Sequence, residues 1–253
     1  MAEKLKYFVN GQFRESKTDK WYDLHNPSTG EITGQAPCCT NDEVLEAIAA
    51  AKAAYPGWSA TPAIKRAQIL YRVRELILER MDELTMSVAK ENGKVWAESE
   101  GDVLKAKEGT ELATQVPSLM MGESIMDASR GYDTVKYREP LGVFAGIVPV
   151  NFPAMIPFGW MAPTCIATGN TLVLKAASLT PKTAMLFAQL YKDAGVPDGV
   201  INVVTCSRNE INTILEHPDV KGITFVGSTP VGLKIYEKAA ANGKRCQALC
   251  QAK

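Results

Sequence analysis

The stretch "VFAGIVPVNFP", residues 143–153, decides the fold class of this chain. Its first eight residues are an unbroken apolar run with β-branched side chains, which is typical of a strand buried on both faces. An amide side chain, Asn151, follows at the end of the run, and Pro153 then restricts the backbone. The pattern predicts an interior strand of a parallel sheet with a polar side chain at its carboxyl end.

Strand and helix patterns alternate from this point onward. Four further strand patterns are separated by helical ones: "NTLVLKAA" (170–177), "GVINVVTC" (199–206), "GITFVGS" (222–228) and "RCQAL" (245–249). Such a succession predicts an α/β fold with a doubly wound, Rossmann-like parallel sheet. Ligands bind at the carboxyl ends of the strands in these sheets. The side chains that fall there are Asn151, Lys175, Cys206 and Ser228.

The preceding region predicts a hairpin and three helices. "KYFV", Asn10-Gly11 and "QFRES" read as a hairpin in a small amino-terminal sheet, and "HNPSTGE" (25–31) reads as a loop. We expect a first helix capped by Thr40 or Asn41 that ends before Pro56-Gly57. A second covers 63–93 and a third covers 96–117.

An alternating, extended segment follows the helices and predicts a protruding β-ribbon. Its exposed strand edges suit pairing with another subunit. The expected organisation is therefore an amino-terminal hairpin and helices (1–122), an oligomerisation ribbon (123–140) and an α/β core (141–253).

Composition excludes several classes of function. The chain has 253 residues, 46% of them hydrophobic, and 28 basic residues balance 28 acidic ones. This neutrality argues against an electrostatic partner such as nucleic acid or a membrane surface. Without a cationic segment followed by an apolar one at the start, we expect a cytoplasmic protein. Six cysteines in no framework spacing and two isolated histidines predict reduced thiols and no metal site.

Each motif taken alone leaves two interpretations open. "FVGSTPVG" (225–232) is either a phosphate-binding loop or a tight turn, because it lacks G-x-G-x-x-G and has Leu233 where a P-loop has lysine. Lys175 is either a surface lysine or a ligand-binding one. Asn151 is either a turn residue or a donor to a developing oxyanion.

Taken together, the motifs resemble one family. "VNFP", "GNTLVLK", "DAGVPDGVINVV" and "FVGSTPVG" occur in the order and spacing of the aldehyde dehydrogenase superfamily, and the resemblance runs from "YFVNGQF" to the last residue. "VNFPAMIP", "HPDVKGITFVGSTPV" and "NGKRCQALCQAK" resemble its CoA-acylating branch, the methylmalonate-semialdehyde dehydrogenases. The resemblance implies an aldehyde-dehydrogenase-like fold, in which residues 141–253 are the NAD(P)-binding core.

The resemblance implies a role for individual residues. In the family a cysteine thiolate attacks the aldehyde and NAD(P) takes the hydride. Asn151 matches the asparagine that holds the oxyanion, and Lys175 matches the lysine at the adenosine ribose. Gly227, Ser228 and Gly232 match the pyrophosphate loop. The apolar cofactor contacts match Ile147, Pro149 and Val231.

Three departures from the family pattern affect specificity. Ser178 replaces a ribose-binding glutamate, so NADP is expected to be accepted as well as NAD. Ala248 replaces the glutamate that activates water in hydrolytic members, which favours CoA as acyl acceptor. Lys105 stands where the methylmalonate branch carries an arginine, so it is the candidate for binding a substrate carboxylate.

The nucleophilic cysteine of the family lies beyond Lys253, and Cys206, Cys246 and Cys250 do not match it. The resemblance therefore implies the cofactor-binding half of an enzyme, a fragment without the catalytic domain and inactive alone. The complete enzyme is expected to be a homo-oligomer, dimer or tetramer, that converts methylmalonate or malonate semialdehyde to an acyl-CoA. Two alternatives remain: a hydrolytic dehydrogenase that releases a free acid, and a truncated, non-catalytic nucleotide-binding or interaction module.

Overall fold

A seven-stranded sheet forms the centre of the computed structural model, which describes residues 3–251. Across the sheet the strands are β11 (Arg245–Leu249), β10 (Val220–Val226), β7 (Val143–Ile147), β8 (Thr171–Lys175), β9 (Ile201–Val204), β1 (Tyr7–Val9) and β2 (Gln12–Arg14). Strands β7 to β11 are parallel, and β1 and β2 are antiparallel to their neighbours. The doubly wound parallel sheet predicted from the sequence is confirmed.

Helices cover both faces of this sheet. One face carries α2 (Ala63–Glu79), α3 (Met81–Asn92), α4 (Trp96–Ala113), α6 (Ala162–Ala167) and α7 (Lys182–Asp193). The other carries α1 (Asn41–Ser59), α8 (Arg208–Glu216) and α9 (Thr229–Ala241). The connections from β7 to β8 and from β8 to β9 run over one face, and those from β9 to β10 and from β10 to β11 run over the other. The direction in which successive strands are added therefore reverses between β7 and β10. This reversal opens a crevice at the carboxyl ends of β7 and β10.

The amino-terminal hairpin is confirmed, but the prediction that it forms a small amino-terminal sheet is wrong. Asn10 and Gly11 have φ of 51° and 71° and form the turn between β1 and β2. Phe8 pairs with Val203, so the hairpin extends the central sheet and satisfies the otherwise open edge of β9.

A separate two-stranded sheet, which the sequence did not predict, contains β3 (Trp21–His25) and β4 (Ile32–Pro37). The predicted loop 25–31 lies between these strands except for His25, which ends β3. Its turn is closed by the Gly30 N–H, which donates to the Asn26 carbonyl at 2.8 Å.

Two predicted helix boundaries are wrong. α1 starts at a capping box made by Thr40 and Glu43 but runs through Pro56 to Ser59. Its last turn is held by tertiary packing, since Trp58 is buried and its Nε1 donates to the Ile166 carbonyl at 2.9 Å. The helix expected over 63–93 is broken at Arg80, whose φ of −111° and ψ of 22° leave the helical region and redirect α3 towards α7.

The third predicted helix is present as α4, but it ends at Ala113 rather than at 117 and is followed by the short α5 (Val116–Leu119). The expected ribbon is also present, as β5 (Ser124–Ser129) paired antiparallel with β6 (Tyr132–Val135). All residues of both strands are exposed, and their use in subunit pairing stays a prediction. Within residues 3–251, none of the helices combines the length and apolar character that crossing a bilayer requires.

A π-helical turn, Ile156–Met161, leads directly into α6 and packs against α4. The contact depends on two glycines. A Cβ added to Gly109 would lie 2.1 Å from the Gly159 carbonyl oxygen, and one added to Gly159 would lie 2.8 Å from the Lys105 carbonyl oxygen. Backbone therefore packs on backbone directly beneath the crevice.

Gly109→Ala is expected to lower the free energy of unfolding by about 1–3 kcal/mol, because α4 and the π-helical turn must separate to admit the methyl group. Gly101→Ala is the matched control on the same helix, where nothing lies within 4 Å of the added Cβ. That change should raise stability by about 0.5–1 kcal/mol through helix propensity. Urea unfolding measures both, and shifts of the same sign would contradict the packing described.

Candidate functional site

A cleft of about 680 Å³ lies where β7 and β10 diverge. Four residues predicted from the sequence line it together: Pro149, Asn151, Gly227 and Ser228. The rest of its wall is mainly apolar and is formed by Val150, Phe152, Met155, Ile156, Trp160, Val226, Leu249, Cys250 and Gln251. The strand ends thus bring an amide, a hydroxyl and the start of a helix into one crevice.

Asn151 is exposed in this cleft, so its side-chain amide is accessible to a ligand. The preceding residue is fixed, because the Val150 carbonyl accepts from Asn92 Nδ2 at 2.7 Å and from Thr180 Oγ1 at 3.3 Å. An accessible N–H₂ group on an anchored backbone is a suitable donor to a developing oxyanion.

The segment after Asn151 is anchored by a buried ion pair. Asp102 Oδ1 accepts from the Met155 N–H at 2.7 Å, while its Oδ2 lies 3.0 Å from Lys94 Nζ. The same Nζ lies 4.0 Å from the centroid of the Phe152 ring. The side chain of Asp102 is 0% exposed and that of Lys94 is 15% exposed.

The loop after β10 leads into the amino terminus of α9, with Ser228 as its N-cap residue. Gly227 donates its N–H to the Leu249 carbonyl at 3.1 Å. Gly232 lies close to Cys250, since a Cβ at that position would be 2.3 Å from the Cys250 sulfur. The small residues let the loop approach β11 closely, and the positive end of the α9 dipole lies beside the cleft.

Lys175 lies at the end of β8, on the sheet face covered by α1, α8 and α9. Strand alternation places it there, because Val173 packs in that core while Leu172 and Leu174 pack in the other. Burial lowers the pKa of Lys175, and the neighbouring Cys206 and Cys38 oppose that shift. Lys175 is therefore a half-buried cation at the strand edge rather than a freely solvated one.

Burial raises the pKa of the Cys206 thiol to about 12, which keeps it protonated at neutral pH. Thiolate, not thiol, is the nucleophilic form. A protonated Cys206 thiol is consistent with the prediction that Cys206 is not the nucleophile. No group of three or more His, Cys, Asp or Glu that could hold a metal ion occurs in the part of the chain that the structure describes.

The remaining predicted residues lie outside the cleft lining. Ile147 is buried at the end of β7, Ser178 is half-buried before α7, and Val231 is 39% exposed on α9. Lys105 is exposed on α4, where its Nζ lies 2.7 Å from Glu108 Oε2. Its binding of a substrate carboxylate stays a prediction.

Glu91, on α3, makes the free energy of unfolding depend on pH. Its carboxylate accepts the first two N–H groups of α7, from Lys182 at 2.8 Å and Thr183 at 3.0 Å. Burial raises the pKa of Glu91 to about 7, although both hydrogen bonds oppose the shift. The native state therefore binds this proton more tightly than the unfolded state does.

It follows that the contribution of Glu91 to the free energy of unfolding is complete below its ordinary pKa of 4.5 and is lost as pH rises through about 7. Glu91→Gln is expected to flatten the decline in stability between these values, as measured by urea unfolding at a series of pH values. The exposed Glu237 supplies the control, Glu237→Gln, which should leave the profile unchanged. An identical decline in both variants would argue against this role.

Sequence reasoning missed Asn92, Lys94, Asp102 and Thr180, the residues that anchor the segment around Asn151. One signal was available. On α4, Asp102 falls in the helical spacing of the buried residues Ser99, Val103 and Ala106, so periodicity marks it as buried. Asn92, Lys94 and Thr180 lie in other elements or in connections, and no periodicity in the sequence marks them.

A sequence model of the Aldehyde dehydrogenase family matches residues 13–253. The chain is 46% identical over 252 residues to malonate-semialdehyde dehydrogenase 2 of Geobacillus kaustophilus, covering 100% of this chain and 52% of that protein. It is 44% identical over 249 residues to the mitochondrial methylmalonate-semialdehyde/malonate-semialdehyde dehydrogenase [acylating] of Rattus norvegicus, covering 98% and 46% respectively.

Among solved structures, the chain is similar to a Sinorhizobium meliloti protein described as a methylmalonate-semialdehyde dehydrogenase and solved in complex with NAD. The TM-score is 0.97 at 36% identity, covering 100% of this chain and 51% of that one. The chain thus spans about half the length of the relatives it matches.

Proposed function

Because the chain belongs to the aldehyde dehydrogenase family, we propose that it forms the cofactor-binding half of an enzyme that oxidises a small acidic semialdehyde to an acyl-CoA. The observation that carries this proposal is the crevice between β7 and β10, where Asn151 and the Gly227-Ser228 loop line one cleft. Crevices of this type bind nucleotides in doubly wound sheets.

NAD fits the residues around this crevice. Ser228 and the start of α9 would hold the pyrophosphate, and Lys175 would contact the adenosine ribose or its phosphate. Apolar contacts would come from Ile147, Pro149 and Val231. When bound, the nicotinamide would supply the hydride acceptor, and Asn151 would donate its amide N–H to the oxygen that gains charge. A neighbouring structure with 36% identity was solved with NAD, which supports this assignment.

Ser178 bears on the choice between NAD and NADP. A hydroxyl at this position does not repel a 2′-phosphate as the glutamate of many family members would. We therefore expect both cofactors to bind.

Calorimetric titration of the protein with NAD and with NADP measures binding of each cofactor and tests the cofactor site. Saturable binding of both is expected, and Lys175→Met should weaken both. The exposed Lys65 provides the control substitution, Lys65→Met, which should not change either affinity. Absence of saturable binding to the unsubstituted protein would contradict the cofactor assignment.

Two observations favour an acyl-CoA product. Ala248 on β11 stands where hydrolytic members carry the glutamate that activates water, so deacylation needs another acceptor. The Rattus norvegicus relative, 44% identical, is named as acylating. The competing assignment, a hydrolytic enzyme that releases free acid, would show no dependence on CoA.

The chain spans about half the length of its relatives, and we expect the catalytic domain in the part that it does not span. The nucleophilic cysteine is expected downstream of Lys253, so residues 1–253 alone should not oxidise aldehyde. Methylmalonate and malonate semialdehyde are the proposed substrates, and Lys105 is the candidate for binding their carboxylate.

The ribbon of β5 and β6 is the proposed pairing element of a homodimer or homotetramer. A cytoplasmic location stays a prediction, because one relative is mitochondrial.

A further inference from the structure

The segment 150–155, which carries Asn151, is held at both ends by side chains from other elements. Val150 is anchored through its carbonyl by Asn92 and Thr180. Met155 is anchored through its N–H by Asp102, at 2.7 Å. Lys94 contacts both the Met155 anchor and the middle of the segment, because its Nζ lies beside the Asp102 carboxylate and over the face of the Phe152 ring.

Burying a carboxylate in this way is costly unless its oxygens are satisfied. Both Asp102 oxygens have a partner: Oδ1 accepts from the Met155 backbone, and Oδ2 accepts from Lys94. Removing the ammonium group would leave a fully buried carboxylate with one oxygen unpaired. The segment would then shift to let water reach Asp102, since Met155 is bound to that same carboxylate.

Phe152 adds a second constraint on the residue next to Asn151. An ammonium 4.0 Å from the ring centroid is well within the range of a cation–π contact. Loss of Lys94 therefore releases the ring as well as the carboxylate. Both changes act on the backbone that fixes the Asn151 side chain.

We propose that Lys94 and Asp102 are positioning residues that hold Asn151 in the orientation needed to donate to the oxyanion. This inference rests on the proposed function, because it takes Asn151 as the donor. Neither side chain lines the cleft, so each acts through the 150–155 segment and not by touching substrate.

The test uses the full-length protein and two independent readouts. The first is amide hydrogen exchange at Met155 in Lys94→Met and Asp102→Ala, which should be faster than in the unsubstituted protein. Lys107→Met is the matched control, because Lys107 lies on the same helix as Asp102, is 18% exposed and pairs with Glu111 at 3.1 Å. Exchange at Met155 that is unchanged in both test variants would overturn the proposal.

The second readout is the rate of semialdehyde oxidation. Lys94→Met is expected to lower kcat by about 10- to 100-fold, as expected for a displaced catalytic group, with little change in KM for NAD. Lys94→Arg keeps the cation and should retain most of kcat. In an Asn151→Ala background, Lys94→Met should cost little more, because its effect passes through Asn151.

An equal loss of kcat from Lys94→Met in both backgrounds would overturn the positioning role, since the effect would then not depend on Asn151. An unsubstituted full-length protein that oxidises no semialdehyde would overturn the proposed function instead. In that case exchange at Met155 still decides whether Lys94 and Asp102 hold the segment.

Discussion

Replacing Asn151 with alanine is expected to lower kcat of the full-length enzyme by about 100- to 1000-fold, the usual cost of removing one oxyanion donor. The amide is exposed in the cleft at the end of β7 and lies on a backbone anchored at Val150 and Met155. Because the donor acts on charge that develops during the reaction, KM for NAD should change little. Steady-state kinetics with saturating cofactor measure both values.

A matched control separates the loss of the donor from a general effect of losing an amide. Asn209 is exposed on α8, away from the cleft lining, so Asn209→Ala should retain full activity. Because Asn151 is exposed, its substitution should also leave the unfolding transition unchanged. An Asn151→Ala enzyme with kcat within about threefold of the unsubstituted one would contradict an oxyanion role.

Phe158→Ala is expected to lower the free energy of unfolding by about 3–5 kcal/mol, the range for a fully buried phenylalanine. Phe158 lies in the π-helical turn beneath the cleft and is 0% exposed. Its ring stacks on Phe187 at a centroid distance of 4.7 Å and lies 5.6 Å from the Tyr191 ring. The substitution removes both contacts and leaves a cavity between the turn and α7.

Urea unfolding of the same protein with and without the substitution measures this loss. Tyr137→Ala is the control, because Tyr137 is 80% exposed and should change stability by less than about 0.5 kcal/mol. A loss below about 1 kcal/mol for Phe158→Ala would mean that the turn does not depend on this core.

The sequence predicted the parts of the fold that depend on local pattern. Strand patterns marked the five parallel strands, β7 to β11, and the residues at their ends include four that line the cleft. The sequence pattern gave wrong helix boundaries where contacts between distant residues determine them. Packing of Trp58 carries α1 past Pro56, and a single residue, Arg80, divides what reads as one continuous helix. Periodicity alone cannot detect either event.

The candidate site divides in the same way. Asn151, Gly227 and Ser228 lie at strand ends, where topology alone brings them together. Asn92 reaches the site from the end of α3, and Lys94 reaches it from the connection to α4. No spacing in the sequence relates them to Val150 or Phe152. Their role follows only from the distances in the folded chain.

The most direct test of the proposed function is to supply the full-length protein with malonate semialdehyde, NAD and CoA and to quantify NADH and acyl-CoA together. The proposal predicts one acyl-CoA for each NADH, with sustained turnover only when CoA is present. Sustained NADH production without CoA, accompanied by free acid, would contradict it and identify a hydrolytic dehydrogenase.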